Sequence, residues 1–479
     1  MSFRTRQIRQ KPPLHILKYV KSFLSAVFGL FSKASPKQKS YMLGAVLVLI
    51  GIFIVSKVMV AAYNFVTGFD AKDMVFALGE DLKKDENGYT NIVLLGDGGH
   101  VRDGADLIDT IMVASIDYKK NAVTLFSIPR DYYVKNVDWP GRINELYRNH
   151  KNKFDSEDEL YSLFQTVAGD IASLEIQYYM RVNFNAFVEI VDNLDGITVD
   201  VKDDIYDPYY PNETDDGYTI FEVKKGPQEM DGEMALKFAR SRKTTSDFDR
   251  AFRQQQIIQA MRDKALSEGI LTKAKTIAKM YDTVKANMNT NFTLREMVSL
   301  AAFADKFDRS HLVSRVIHDD PGQNGGFLYT PEKESYGGMF VLIPFGDNLD
   351  LIHKYADLIF NHREAFWEPP KIEVLNATKA SGIARNAAYQ LNRFGFNVTS
   401  IDNLYDSSNE KKYLEKSVIY YYDWNQGEDA VVSPKYQSTI DALGGFINAE
   451  AVPAERLPFA TNADISIVLG DDYGTALVD

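Results

Sequence analysis

Cysteine is absent from all 479 residues. That excludes disulfides, thiolate nucleophiles and cysteine-ligated zinc or iron–sulfur centres, and it leaves the compartment unreadable from cysteine pairing. Acidic side chains are missing from the chain up to Ser40, although Asp and Glu number 66 overall and the formal net charge is -12. Arg4, Arg6, Arg9, Lys11, Lys18, Lys21, Lys33, Lys37 and Lys39 fill the same stretch. Charge of either sign is then absent from Met42 to Val55, and apolar residues continue through Val58 to Ala62 around the single Lys57, which can snorkel towards headgroups. A helix over residues 41–63 would rise roughly 35 Å, enough to cross a bilayer.

The lysine and arginine asymmetry predicts a single pass, with a cytoplasmic basic arm (1–40), a transmembrane helix (41–63) and the bulk of the chain on the extracytoplasmic side of the cell membrane. Leu17, Val20, Leu24, Val27, Phe28 and Phe31 recur at helical spacing, which suits either a helix on the inner leaflet or an ordinary amphipathic contact helix. A linker (64–90) follows. The arm is too short to hold a DNA-recognition fold, so no nucleic-acid partner is expected.

With 45% hydrophobic and 25% charged residues, the chain as a whole has ordinary globular composition and room for several domains. Asn91–Gly96, Thr110–Ile116 and Ala122–Ile128 are short β-branched runs, the last two joined by a hairpin-like turn. Tyr178–Phe184, the helical Ala186–Leu194 and Ile197–Val201 continue the alternation. The expected class is α/β, a sandwich of helices around a mixed central sheet.

Strand ends are where such folds place chemistry. Asp97 follows the first strand and Asp109 enters the second. Two carboxylates at neighbouring strand ends suit Mg²⁺, which keeps waters and takes one or two carboxylates plus phosphate oxygens; Mn²⁺ can replace it. Asp103 and Asp106, in the loop between, are substitutes. Arg130 ends the third strand and Arg142 comes soon after.

The densest cationic stretch is Lys237 to Gln256. Planar guanidiniums grip phosphate oxygens with paired hydrogen bonds. Arg240 and Arg242 point to one side only if the helix begun near Asp231 ends around Ser241, whereas a helix through Asp247 aligns Asp247, Arg250 and Gln254. Arg253 lies off that stripe and should matter little. A solvated helix face with exchanging ion pairs is the plain alternative.

The order of these elements, with Pro129-Arg-Asp131, Gly141-Arg-Ile-Asn144, Val191–Val199, Met230–Arg242 and Asp247–Gln255, resembles the LytR-CpsA-Psr family from about Asn91 to Lys264. The first loop, Gly96 to Arg102, departs from the usual family wording. The resemblance implies a membrane-anchored phosphotransferase moving a glycopolymer from a polyprenyl-pyrophosphate carrier onto a peptidoglycan acceptor. It further implies that Asp97 and Asp109 bind the metal, and that Arg130, Arg142, Arg240, Arg242, Arg250 and Gln254 hold the pyrophosphate beside Asp247. Arg130, Asp247 and Arg250 are the catalytic candidates. A hydrolase using water, or a noncatalytic scaffold holding wall glycan, would use the same residues.

Beyond this, Thr293 and Glu296 have the spacing of a helix capping box. His318 with its neighbouring aspartates reads as a turn-rich loop or a metal site, and Phe327, Tyr329, Tyr336 and Phe340 as a groove or strand packing. The catalytic domain is expected over 91–366. After Trp367–Pro370, residues 371–472 read as a small α/β domain resembling the LytR carboxy-terminal domain. It holds no cluster of catalytic residues.

Overall fold

The computed structural model describes residues 81–97, 106–212, 217–241, 247–267, 281–283, 285–406, 408–422, 436–454 and 462–475. The basic arm, the apolar stretch 41–63, most of the linker, Asp103, Arg242 and the side chain of Asp247 lie outside these residues. Among the described residues, no helix is long and apolar enough to cross a membrane.

Three strands open the fold: β1 (Thr90–Asp97), β2 (Ile108–Asp117) and β3 (Ala122–Ile128). Their apolar alternation buries both faces. Val93, Leu95, Ile111, Val113 and Phe126 enter one core, while Ile92, Met112, Ala114 and Leu125 enter another on the opposite face. The β2–β3 turn is set by Asp117, whose Oδ1 accepts from the Lys119 and Lys120 amides at 2.9 and 3.1 Å, and by Asn121 at φ 49°.

A short hairpin follows, β4 (Tyr133–Val134) with β5 (Gly141–Arg142), then α1 (Leu146–His150), α2 (Glu157–Ala172), β6 (Tyr178–Asn183) and α3 (Phe184–Asn193). Two antiparallel ribbons come next. In them β7 (Ile197–Val201) pairs with β10 (Gly226–Met230), and β8 (Ile205–Pro211) with β9 (Tyr218–Val223). Helices α4 (Gly232–Arg240) and α5 (Asp247–Ser267) follow. Then come β11 (Met288–Thr290), α6 (Leu294–Lys306) and β12 (Leu312–Val316). The main sheet has six strands in the order β11-β6-β1-β2-β3-β12 and is mixed, since β1 pairs parallel with β6 but antiparallel with β2. Residues of α2 pack on one face, and those of α5 and α6 on the other.

Helix boundaries follow their caps. Asp231 accepts the Met234 amide at 2.8 Å to start α4, which closes at Ser241 as its sequence implied. Thr293 and Glu296 form the expected capping box on α6.

After a two-residue ribbon of β13 (Leu328–Tyr329) with β14 (Ile343–Pro344) and helix α7 (Asp350–Asn361), the chain builds a second sheet. It comprises β15 (Ile372–Asn376), α8 (Ile383–Arg393), β16 (Val398–Asn403), β17 (Val418–Tyr422), α9 (Gln437–Ile447), β18 (Glu450–Ala454) and β19 (Ile465–Leu469), with strand order β16-β15-β19-β17-β18. Strand β18 went unread, because Pro453 interrupts its apolar pattern. This sheet joins the first core: Arg393 Nε donates to the Gly326 carbonyl at 2.6 Å, and the Phe394 ring lies 4.8 Å from Phe327 and 4.7 Å from Phe446.

Two alternatives left open by the sequence are decided here. Phe327 is fully buried in that junction and lines no groove. His318 is no metal ligand, because both ring nitrogens are engaged: Nδ1 accepts the Asp320 amide at 3.1 Å, and Nε2 donates to the Asn324 carbonyl at 2.8 Å.

Candidate active site

The antiparallel order β1-β2-β3 brings the end of β1, the start of β2 and the end of β3 to one edge of the sheet. Asp97, Asp109 and Arg130 meet there. The β1–β2 register runs Gly96 to Thr110 and then Asp97 to Ile108, so Asp109 is the residue skipped at a bulge. Bulges beside sites re-aim a side chain in this way. Glycine suits position 96, since a Cβ there would stand 3.1 Å from that of Thr110.

Asp109 Oδ1 accepts from Arg130 Nη1 at 3.1 Å, and its carbonyl lies 3.5 Å from Arg250 Nη2. Asp97, only 2% exposed, is ion-paired with Arg181 Nε from β6, the neighbouring parallel strand. Arg181 also donates to Asn289 Oδ1 at 3.2 Å. Burial works against the charged Arg181, but the hydrogen bond and charge of Asp97 outweigh it and raise its pKa. The sequence reading missed Arg181. Its signal was a cation within the apolar strand Tyr178–Asn183, beside the strand that carries Asp97.

A ladder of alternating charges leads away from Asp109. Arg130 Nε lies 3.5 Å from Asp131 Oδ2, Arg142 Nη1 lies 3.4 Å from Asp131 Oδ1, and Arg142 Nη2 reaches Glu145 Oε1 at 2.6 Å. Arg148 Nη2 takes the same Glu145 oxygen at 2.7 Å. Burial pushes the Glu145 carboxyl up, yet the bonds and charges of Arg142 and Arg148 prevail and hold it below the ordinary carboxylate range. Thus Arg130 and Arg142 converge through a shared Asp131, which the sequence reading had not assigned.

Arg240 stands at the carboxy-terminal end of α4. Its guanidinium lies 4.6 Å from the Phe184 ring centre and 5.7 Å from that of Tyr210, whose hydroxyl is 3.4 Å from Nη1. On α5, Arg250, Gln254, Ile258 and Met261 recur at helical spacing and line one cavity. Arg253 is another matter: it is buried, donating from Nε to the Phe238 carbonyl at 3.0 Å and from Nη2 to the Ser241 carbonyl. It ties the end of α4 to α5 and lies off the Arg250–Gln254 stripe that lines the cavity.

The cavity measures about 550 Å³, within the usual range for ligand pockets of roughly 300–1,000 Å³. Its walls are Leu94, Met112, Met180 and Val182 from the sheet, Phe187 and Ile190 from α3, Leu236 and Ala239 from α4, and Ile257, Ile258 and Met261 from α5. Asp97, Asp109, Arg240, Arg250 and Gln254 also line it, while Arg130 and Arg142 do not. An apolar chamber thus carries a small set of acids, guanidiniums and an amide. Such a chamber accepts a molecule with a hydrocarbon body and an anionic head.

Asp97 and Asp109 are the two carboxylates a hard cation would use, and each is engaged here by a guanidinium, Arg181 and Arg130 respectively. Asp97 and Asp109 are neighbours across the bulge, and no group of three or more His, Cys, Asp or Glu capable of holding a metal exists among the described residues. A metal here would rest on two carboxylates and on oxygens of its ligand, the pattern of Mg²⁺.

The fold and this strand-edge site define the class. The LytR_cpsA_psr family model matches residues 62–339, more than half of the chain, and the LytR cell envelope-related transcriptional attenuator model matches residues 370–473. The chain belongs to the LytR-CpsA-Psr family and carries a LytR carboxy-terminal domain.

Among its relatives, an uncharacterized protein of Staphylococcus aureus is 28% identical over 253 residues, 52% of this chain and 54% of that one. The chain therefore spans about half of that relative's length. The polyisoprenyl-teichoic acid–peptidoglycan teichoic acid transferase TagU of Bacillus licheniformis is 26% identical over 310 residues, 62% of this chain and 93% of TagU. Among solved structures, TagV of B. subtilis matches 58% of this chain and 99% of its own at 22% identity and TM-score 0.44. A structure of TagT bound to LI-WTA matches 59% and 95% at 21% identity and TM-score 0.43.

Proposed function

We propose that this chain is a membrane-anchored, extracytoplasmic phosphotransferase that moves a glycopolymer from a polyprenyl-pyrophosphate carrier onto peptidoglycan. One observation carries the reading: an apolar cavity of about 550 Å³ whose lining includes Asp97, Asp109, Arg240, Arg250 and Gln254. The prenyl chain lies against the leucine, isoleucine and methionine walls, and the pyrophosphate meets the charged set. Transferase relatives support the reaction class. The basic arm and the apolar stretch 41–63 supply the anchor.

The acceptor hydroxyl attacks the phosphorus that bears the glycan. A new phosphorus–oxygen bond forms to the acceptor, the bond to the bridging pyrophosphate oxygen breaks, the hydroxyl proton leaves to a base, and polyprenyl phosphate departs. Arg240 and Arg250 are placed to bind the pyrophosphate and to offset charge gathering on the leaving oxygen. Arg130, held by Asp109 and Asp131, fixes the reacting phosphoryl from the sheet edge. Asp97 and Asp109 would hold Mg²⁺, which supplies further charge neutralisation when bound. Asp247 opens α5 and is the candidate base or the tether of Arg250.

The test is binding and turnover of a short-chain prenyl-pyrophosphate glycan with peptidoglycan fragments as acceptor. Arg250→Ala should weaken lipid-pyrophosphate binding by roughly 10- to 150-fold, the worth of one charged hydrogen bond. Asp109→Ala should abolish metal-dependent turnover. Binding that persists in chelator without any turnover would make the protein a glycan-holding scaffold instead, and release of product without acceptor would make it a hydrolase.

A further inference from the structure

We propose that Asp207 is a positioning residue of this site: its buried carboxylate bridges β8 to the residue that follows Arg240, and so fixes the guanidinium that meets the anionic head of the ligand. The inference rests on the transferase reading above and adds to it a carboxylate outside both the metal pair and the arginine set. Asp207 lies on β8, is 1% exposed and lines the cavity. An ionised carboxylate is costly to bury unless its oxygens receive hydrogen bonds.

Both oxygens receive one. Oδ2 accepts from the Ser241 hydroxyl at 2.9 Å, and Oδ1 accepts from the Tyr209 amide at 3.1 Å. Ser241 is the residue at which the chain leaves α4; it is buried, and its amide still donates to the Lys237 carbonyl at 3.0 Å. Its carbonyl accepts from Arg253 Nη2 on α5. The bond to Asp207 is thus a third hold on the residue covalently joined to Arg240, and it ties that end of α4 to β8.

The other oxygen acts on the ring beside Arg240. The β8–β9 register shifts between Asp207 and Tyr210, and the bond from the Tyr209 amide spans that irregularity. Tyr210, the next residue, is buried; its hydroxyl lies 3.4 Å from Arg240 Nη1, and its ring centre 5.7 Å from the guanidinium. One carboxylate therefore sets both the backbone that carries Arg240 and a ring that frames it. A guanidinium grips phosphate through a planar fork, so its worth depends on the direction in which that fork is held. Loosening Asp207 would leave Arg240 in place but badly aimed.

The experiment titrates the full chain in detergent with two probes, a short-chain prenyl pyrophosphate and the prenyl alcohol of the same length, which lacks the anionic head. Asp207→Asn keeps the shape but loses the charge, and Ser241→Ala cuts the same bond from its other end. Each should weaken prenyl-pyrophosphate binding roughly 3- to 10-fold, the worth of one ordinary hydrogen bond, and leave binding of the alcohol unchanged. Combined with Arg240→Ala, neither should weaken binding further, because a residue that acts through Arg240 has nothing left to aim. A merely structural role predicts the reverse, with losses that add to that of Arg240→Ala and extend to the alcohol. Either of those results, or unchanged pyrophosphate binding in both single variants, overturns the positioning role and spares the transferase reading. Failure of the wild type to bind prenyl pyrophosphate overturns the transferase reading itself.

Discussion

Arg250 and Arg253 sit three residues apart on α5 and face different neighbours. Arg250 lines the cavity with Gln254, whereas Arg253 satisfies the carbonyls of Phe238 and Ser241. Truncating Arg253 leaves two buried acceptors to be repaired, each costing about 1–3 kcal/mol. Arg253→Ala is therefore expected to lose about 2–4 kcal/mol in denaturant unfolding, and Arg250→Ala to show its larger effect in lipid-pyrophosphate titration. Equal stability losses in the two variants would refute the division of labour. Arg181 gives the complementary case. Replacing it with Met removes the guanidinium that compensates the buried Asp97 carboxylate, and breaking a buried pair in this way costs about 3–5 kcal/mol. Spacing alone distinguished Arg250 from Arg253, but helical phase says nothing of what packs on each face. That is why the tie from Arg253 to the end of α4 was not legible. Arg181 escaped for a related reason: its partner Asp97 is 84 residues away in the chain, and only the parallel β1–β6 pairing brings them together.

Elements were legible where local rules suffice. The runs that became β1, β2 and β3, the Asp231 start of α4 and the Thr293 capping box are set by β-branched composition and by side-chain oxygens accepting backbone amides. The bulge at Asp109 was not, since it depends on pairing with β1. Nor was the cavity, whose walls come from the sheet, α3, α4 and α5 together. One glycine governs that assembly. A Cβ on Gly232 would fall 2.5 Å from the Val188 carbonyl oxygen, and the Gly232 amide donates to Asp192 Oδ1 at 2.8 Å. Backbones of α3 and α4 thus approach where only glycine fits. Gly232→Ala must push α4 from α3, displacing Leu236, Ala239 and Arg240 at once. The expected result is a lower melting temperature together with weaker prenyl-pyrophosphate binding, checked by calorimetry and titration on one sample. A stable variant with unaltered binding would show that this contact does not shape the cavity.

The two sheets share one continuous core, and the segment from His318 to Phe327 is its hinge pin. Gly325 N donates to the Arg393 carbonyl at 3.0 Å, Arg393 Nε returns to Gly326, and the Tyr355 hydroxyl binds Asn324 Oδ1. His318 anchors the segment from within by its bonds to Asp320 and Asn324. Burial lowers the His318 pKa below its ordinary 6.5, only partly offset by the Asn324 hydrogen bond and the charges of Asp320 and Asp319. A folded pKa below the unfolded one means that the unfolded chain binds the extra proton first. The stabilising contribution is therefore complete above about pH 6.5 and is lost as pH falls through the folded value. Protonation would also place a hydrogen on Nδ1, where the Asp320 amide now donates, and so loosen the loop on which the carboxy-terminal domain is seated. Between pH 7.5 and 5.5 the melting temperature should fall, and His318→Gln, which can donate and accept without titrating, should flatten that fall. An equal pH slope in both proteins would remove His318 as its source.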